Sequence, residues 1–240
     1  MILKFLRAFL SILIFIFTIS YAEAAKKKTR LTAHPVRRTD FSPNVENTDE
    51  MTFTLESNVY RGSVYLSPAL SYSSKNGFDV QLASYSIPVY GGGAQNYEYD
   101  TYLNLTKTFE INNSVSLVVG TQNGTTLFSK IRQWHNFDYV IFKFKPTTNV
   151  ELFVGPYYAN RALTASYTQL GVVTGINIVI IPKTLDLNLS YVSGHTNVSG
   201  ALAQVLYAPI KKIQMYGGIG IPEKSSGNEF FGIIGLNYTF

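Results

Sequence analysis

The chain has 240 residues, with 14% aromatic and only 15% charged residues, a formal net charge of +5 and no cysteine. A soluble domain carries roughly 25% charged residues, so this composition points to a protein with one face in lipid. The missing cysteine excludes disulfides, thiolate metal sites, a cysteine nucleophile and a lipidated N-terminal cysteine.

The N-terminus reads as a secretory leader. Lys4 and Arg7 give a charged start, Phe9 to Ile19 an apolar core, and Ala22-Glu23-Ala24 a small-x-small cleavage site. The expected division is a leader over 1–24, a basic segment over 25–50 and a β domain over 51–240. In the basic segment Lys26, Lys27, Lys28, Arg30, Arg37 and Arg38 precede Asp40, Glu46, Asp49 and Glu50, with no period of 2 or 3.6. It reads as a disordered, solvated periplasmic tail; contact with lipid phosphate is the alternative. Secretion removes nucleic acid as a partner. Without the first 50 residues, 12 basic and 10 acidic residues remain, so the β domain is close to neutral.

From Thr52 onward, segments of about ten residues alternate apolar and polar. No stretch there is apolar for the ~20 residues of a membrane helix, so a membrane-spanning reading requires a closed barrel. In 97–105, Tyr97, Tyr99, Thr101, Leu103 and Leu105 share one face, and Glu98, Asp100, Tyr102 and Asn104 the other. The segments 150–158 and 185–191 repeat the pattern. Short turns are expected at Lys75-Asn76-Gly77, Asn112-Asn113, Pro146 to Asn149, Pro182-Lys183-Thr184 and Pro209 to Lys212. Longer connections are expected opposite them: 91–95, 121–133, 160–165, 193–200 and 222–228. The expected fold is all-β: a closed antiparallel up-and-down transmembrane barrel of about 12 strands, with 10 as the alternative. Short turns on one side and long loops on the other is the outer-membrane asymmetry.

The last residues, Ile234, Leu236, Tyr238 and Phe240 with Gly235 between, resemble the C-terminal strand signal of Gram-negative outer-membrane barrels. That resemblance implies Gly235, Tyr238 and Phe240 as an assembly signal, the barrel-assembly machinery as partner and the outer membrane, with its lipopolysaccharide, as location. Ile233 departs from the pattern, which usually has a polar residue there. Separately, Ser57-Asn58-Val59-Tyr60-Arg61-Gly62, Pro68-Ala69-Leu70-Ser71-Tyr72 and Gly77-Phe78 resemble the opening of the bacterial outer-membrane family known as Gcw_chp. The match implies location and not activity.

Tyr97, Tyr99, Phe109, Phe137, Tyr139, Tyr157, Tyr158, Tyr238 and Phe240 fall near strand ends and are expected in two interfacial girdles. Lys107 is expected to snorkel at a periplasmic turn. Asp79, Glu98, Asp100, Tyr102, Glu151 and Asp186 are candidate lumen residues, giving a polar, mildly acidic interior. His135 and His195 read as loop histidines; without a third histidine or a fixed carboxylate they make no metal site. Glu98 and Asp100, two apart on one face, could act as a carboxylate pair. With His135 they resemble the omptin proteases in residue type alone, since the acidic residue expected two before the histidine is Gln133. The reading favoured is a small passive channel for small hydrophilic solutes, with no cofactor, metal or enzymatic activity. The alternatives are a structural or adhesion barrel with an occluded lumen, and a rim-site hydrolase.

Overall fold

The structure is a computed structural model that describes residues 49–91, 99–127, 134–160, 169–194, 199–224 and 229–240. The leader, most of the basic segment, Tyr97, Glu98 and His195 lie outside the described residues. The strands are β1 (Glu50–Tyr60), β2 (Ser63–Ser73), β3 (Phe78–Tyr85), β4 (Ile87–Gly91), β5 (Tyr99–Asn112), β6 (Val115–Leu127) and β7 (Trp134–Thr147). There follow β8 (Val150–Ala159), β9 (Leu170–Ile181), β10 (Leu185–Val192), β11 (Gly200–Ile210), β12 (Ile213–Pro222) and β13 (Phe231–Thr239). Among the described residues there is no helix.

Consecutive strands pair antiparallel, and β1 closes the sheet against β13 from Thr52↔Thr239 to Val59↔Gly232. β3 and β4 both pair with β2, so they are two halves of one stave. The break falls at Ser86, a non-glycine residue with φ of 68°, a conformation that interrupts a ladder. Thirteen segments therefore build a closed barrel of twelve staves. Closure pairs every strand on both sides except the short β4, which pairs with β2 alone.

Alternation places the side chains. Along β8 the burial of successive residues switches at every step from Leu152 to Ala159. Phe53, Leu103, Phe142, Val154, Leu189 and Leu236 point outward and are exposed, while their neighbours in sequence point inward and are covered. The exterior is apolar and the interior holds most of the polar groups, the reverse of a soluble barrel.

Two prolines refine the turn assignments. Pro146 and Pro209 were expected inside turns, yet the strands run past them to Thr147 and Ile210. Each proline sits in a register shift, between Phe144 and Thr147 in β7 and between Tyr207 and Ile210 in β11. A bulge at a barrel rim is where a residue without an N–H interrupts the ladder least. The expected loop over 121–133 is shorter as well, since β6 continues to Leu127.

Six glycines shape the interior. Gly120, Gly124, Gly171, Gly175, Gly220 and Gly235 each stand directly across a strand pair from an inward ring: Tyr139, Tyr102, Tyr157, Phe153, Phe231 and Tyr216 respectively. A Cβ on any of these glycines would fall within 2.0–2.4 Å of that ring. Each ring thus lies flat over its glycine, pressed to the wall rather than across the bore. This corrects one expectation: Phe137, Tyr139 and Tyr157 are buried inside the barrel, not set in an outer girdle. Tyr158, Phe109, Tyr238 and Phe240 do point outward.

Gly155 is a stricter case, because a Cβ there would lie 1.8 Å from the Val140 backbone oxygen. A ring can tilt, but a backbone cannot move without shifting a strand. Gly155→Ala should destabilise the barrel by about 2–3 kcal/mol and Gly235→Ala by about 1 kcal/mol, the range of overpacking costs. Urea unfolding in liposomes measures both; equal costs would contradict this account.

Candidate functional site: the barrel interior

The inward side chains sort by height. Next to the short turns stands a charged ring. Asp79 is the second residue of β3, Glu151 of β8 and Asp186 of β10, while Glu110 and the two lysines Lys143 and Lys145 come from the matching ends of β5 and β7. Glu151 organises this ring. Its Oε1 lies 3.5 Å from Lys143 Nζ and its Oε2 3.4 Å from Lys145 Nζ. Asn177 Nδ2 donates to Oε1 at 2.9 Å, and Asn188 Nδ2 donates in turn to Asn177 Oδ1. Lys143 is only 4% exposed, a burial that its carboxylate partner makes tolerable. Asp79 and Glu110 also stand within electrostatic reach of Lys143.

Above the ring is a layer of amides. Asn104 donates to Gln81 at 2.6 Å. Asn104 Oδ1, Gln122 Nε2, Asp186 Oδ1 and both side-chain polar atoms of Gln204 are buried yet have no hydrogen-bond partner among the described residues. On the opposite wall, Glu56 accepts from Tyr216 at 2.9 Å and from Asn58 at 3.1 Å.

Toward the long connections the walls become aromatic. Tyr60 stacks on Phe231 with ring centroids 5.2 Å apart, and Phe137 stacks on Tyr157 at 4.8 Å. Tyr102, fully buried, packs beside Tyr85 and bonds His135 Nδ1 through its hydroxyl. Asp100 Oδ1 lies 3.9 Å from the same Nδ1 and accepts from Thr126 Oγ1 at 2.7 Å. His135 was expected in a loop; it is the second residue of β7 and points inward. The alternation His135, Phe137, Tyr139, Ile141, Lys143 carried that information, with exposed Trp134 marking the outer face. Both contacts on Nδ1 fix the imidazole against the wall.

Of the lumen residues expected from sequence, Asp79, Asp100, Tyr102, Glu151 and Asp186 all lie on inward positions, and Glu98 falls outside the described residues. Asp100 and Tyr102 meet at His135, while Asp79 and Glu151 belong to the ring at the other end. Sequence reasoning did not single out Lys143, Lys145, Gln122 or Gln204. Lys107 lies on the outer face, its Nζ donating to Asn76 O at 2.5 Å in the adjoining turn.

By sequence, no protein-family model and no curated relative matches the chain. The likeness of residues 57–78 to the Gcw_chp family therefore stays a resemblance. Solved structures do match. The KdgM porin, in complex with disordered oligogalacturonate, is similar at a TM-score of 0.57 and 14% identity, covering 80% of this chain and 99% of its own. The NanC porin is similar at 0.54 and 9% identity, covering 79% and 98%. At these identities the shared property is the fold, a twelve-stave barrel.

Glu151→Leu removes the carboxylate that both lysines share. We expect a loss of about 2–3 kcal/mol, below the roughly 3–5 kcal/mol of a wholly uncompensated buried charge because Asp79 and Glu110 stand nearby. Adding Lys143→Met should recover most of that loss. Urea unfolding of both variants in liposomes is the measurement, and a double variant no better than the single one would refute the pairing.

Proposed function

We propose that this chain is an outer-membrane, porin-like channel for passive diffusion of small hydrophilic solutes, and not an enzyme. The observation that carries the reading is a closed barrel turned inside out. Its exposed exterior is apolar around the circumference, and its interior holds buried amide atoms and a carboxylate oxygen of Asp186 with no hydrogen-bond partner among the described residues. Buried polar groups are costly unless water or a solute bonds them, so this interior suits a hydrated bore. An apolar exterior of this extent suits lipid, not water. The fold shared with the KdgM and NanC porins adds support. The C-terminal strand, with Gly235, Tyr238 and Phe240, is read as the signal for the barrel-assembly machinery, and lipopolysaccharide as the surrounding lipid.

The solute class follows from charge. At the short-turn end, four carboxylates (Asp79, Glu110, Glu151, Asp186) face two lysines, and both lysines are tied to Glu151. This balance disfavours polyanions such as the oligogalacturonate of the KdgM complex and favours neutral or cationic solutes. The six rings lie against glycines of the neighbouring strand instead of projecting freely from their own. The packed aromatic upper half is the observation behind a second reading, an occluded barrel with functional outer loops.

Planar-bilayer recording decides between them. We expect discrete conductance steps and a reversal potential showing mild cation preference. Asp79→Asn with Asp186→Asn should move that potential toward anion preference while the barrel stays folded. No steps, together with no solute flux into liposomes, would leave the occluded reading standing.

A further inference from the structure

We propose that the outer face of β6 and β7 around Asp138 is a docking surface for a second copy of this chain, within the membrane; the inference rests on the membrane reading above. Four polar side chains of that outward surface bond one another, and Thr125 adjoins them on β6. Asn136 Nδ2 donates to Asn123 Oδ1 at 3.0 Å and to Asp138 Oδ1 at 3.1 Å. Thr121 Oγ1 donates to Asp138 Oδ1 at 2.5 Å and accepts from Asn123 Nδ2 at 2.8 Å.

Their depth is what makes them unusual. On β7 the outward, exposed Trp134 and Phe144 mark the two edges of the apolar surface. Their spacing along a strand rising ~3.3 Å per residue and tilted ~40° corresponds to about 25 Å of height, the full apolar band of a membrane barrel. Asp138 falls about 10 Å below the Trp134 edge by the same geometry. Leu103, Leu105, Val119, Val140, Pro156 and Leu170 surround the cluster on the same outer face. A carboxylate facing acyl chains there has a cost that a polar partner removes.

The cluster contains its own complement. Both N–H groups of Asn136 and the hydroxyl proton of Thr121 are used within it, which leaves the second N–H of Asn123 to donate, and Asp138, whose two hydrogen bonds both land on Oδ1, has Oδ2 to accept from outside the chain. A surface with donors and acceptors together can pair with a copy of itself, as a two-fold interface requires. Long side chains flank it, Leu105, Lys107, Tyr158 and Leu170, but the residues between them are short. Val119, Thr121, Val140 and Pro156 line a trough of about 520 Å³ on this wall. Short side chains beside polar groups let two membrane-embedded walls approach closely enough to bond. A lipid chain would fill the trough but supply nothing for the amides and the carboxylate.

The chain has no cysteine, so a single engineered one reports proximity. In the full-length protein refolded into phospholipid liposomes, Thr125→Cys, on the outer face next to the cluster, should form a disulfide-linked dimer on oxidation. Leu236→Cys, on the outer face of β13, should not. Adding Asn136→Leu and Asp138→Leu should reduce the cross-linked fraction at least tenfold, while heat-modifiable gel mobility confirms a folded barrel. Equal cross-linking at both cysteine positions would overturn the proposal, as would a monomer at every protein-to-lipid ratio. So would native mass spectrometry showing a monomer that retains lipopolysaccharide and loses it on Asp138→Leu, since the surface would then serve lipid. A folded, conducting monomer would refute the dimer and leave the channel reading intact.

Discussion

Closure of the backbone ladder is the constraint that the rest of this molecule obeys. Once β1 pairs with both β2 and β13, the ladder runs around the barrel, each strand but the short β4 has two neighbours, and the sheet has an inside and an outside. Strand geometry then permits each side chain only those two directions. Apolar residues can go outward because the backbone needs no water on that side. The polar groups that remain are concentrated in a narrow interior, where they must bond one another, water or a solute. The Glu151 and Glu56 clusters and the unpartnered amides are different answers to that crowding.

The interior also has to accommodate rings. A tyrosine pointing straight inward from a twelve-stave wall would project across the bore. Here the cross-strand glycines give the rings a recess on the next strand, and rings such as Tyr102, Tyr157 and Tyr216 are sealed from solvent by their neighbours. The interaction is local to each strand pair and recurs along the wall, from Tyr102 over Gly124 to Tyr216 over Gly235. Most of the inward charges meanwhile collect at the short-turn end, where Glu151 and the two lysines offset one another's burial.

Much of the architecture was legible in the sequence because period two is a local signal. Strands such as β8 and β10 declare both faces within a few residues, and the tight turns between them carry Asn, Gly and Pro. What escaped was information that resides on another strand. Phe137 and Tyr139 read as girdle residues since aromatic rings favour a membrane interface. Their true direction depends on Gly120 across β6 and on the Tyr157 ring from β8, neither of which a local pattern reveals. The prolines at 146 and 209 misled for a related reason: they mark a bulge as well as they mark a turn, and only the partner strand distinguishes the two.

One consequence of this parity runs through the whole of β7. If Phe137 and Tyr139 faced lipid, then Asn136 and Asp138 would face the lumen, and nothing about them would need explaining. Turning the strand by a single residue exchanges every side chain between the faces. The burial of Phe137 and Tyr139 therefore places a carboxylate and an amide on the apolar exterior, and β6 adds Thr121 and Asn123 beside them. Four coincident polar positions on two paired strands, bonded to one another, are not the scatter expected of a surface under no constraint. A lone polar residue at that depth carries its full solvation cost, whereas a bonded group with one spare donor and spare acceptors has a reason to stay. The inward histidine, the stacked rings and the outward cluster thus follow from one choice of face, made by partners that the strand meets only after the barrel closes.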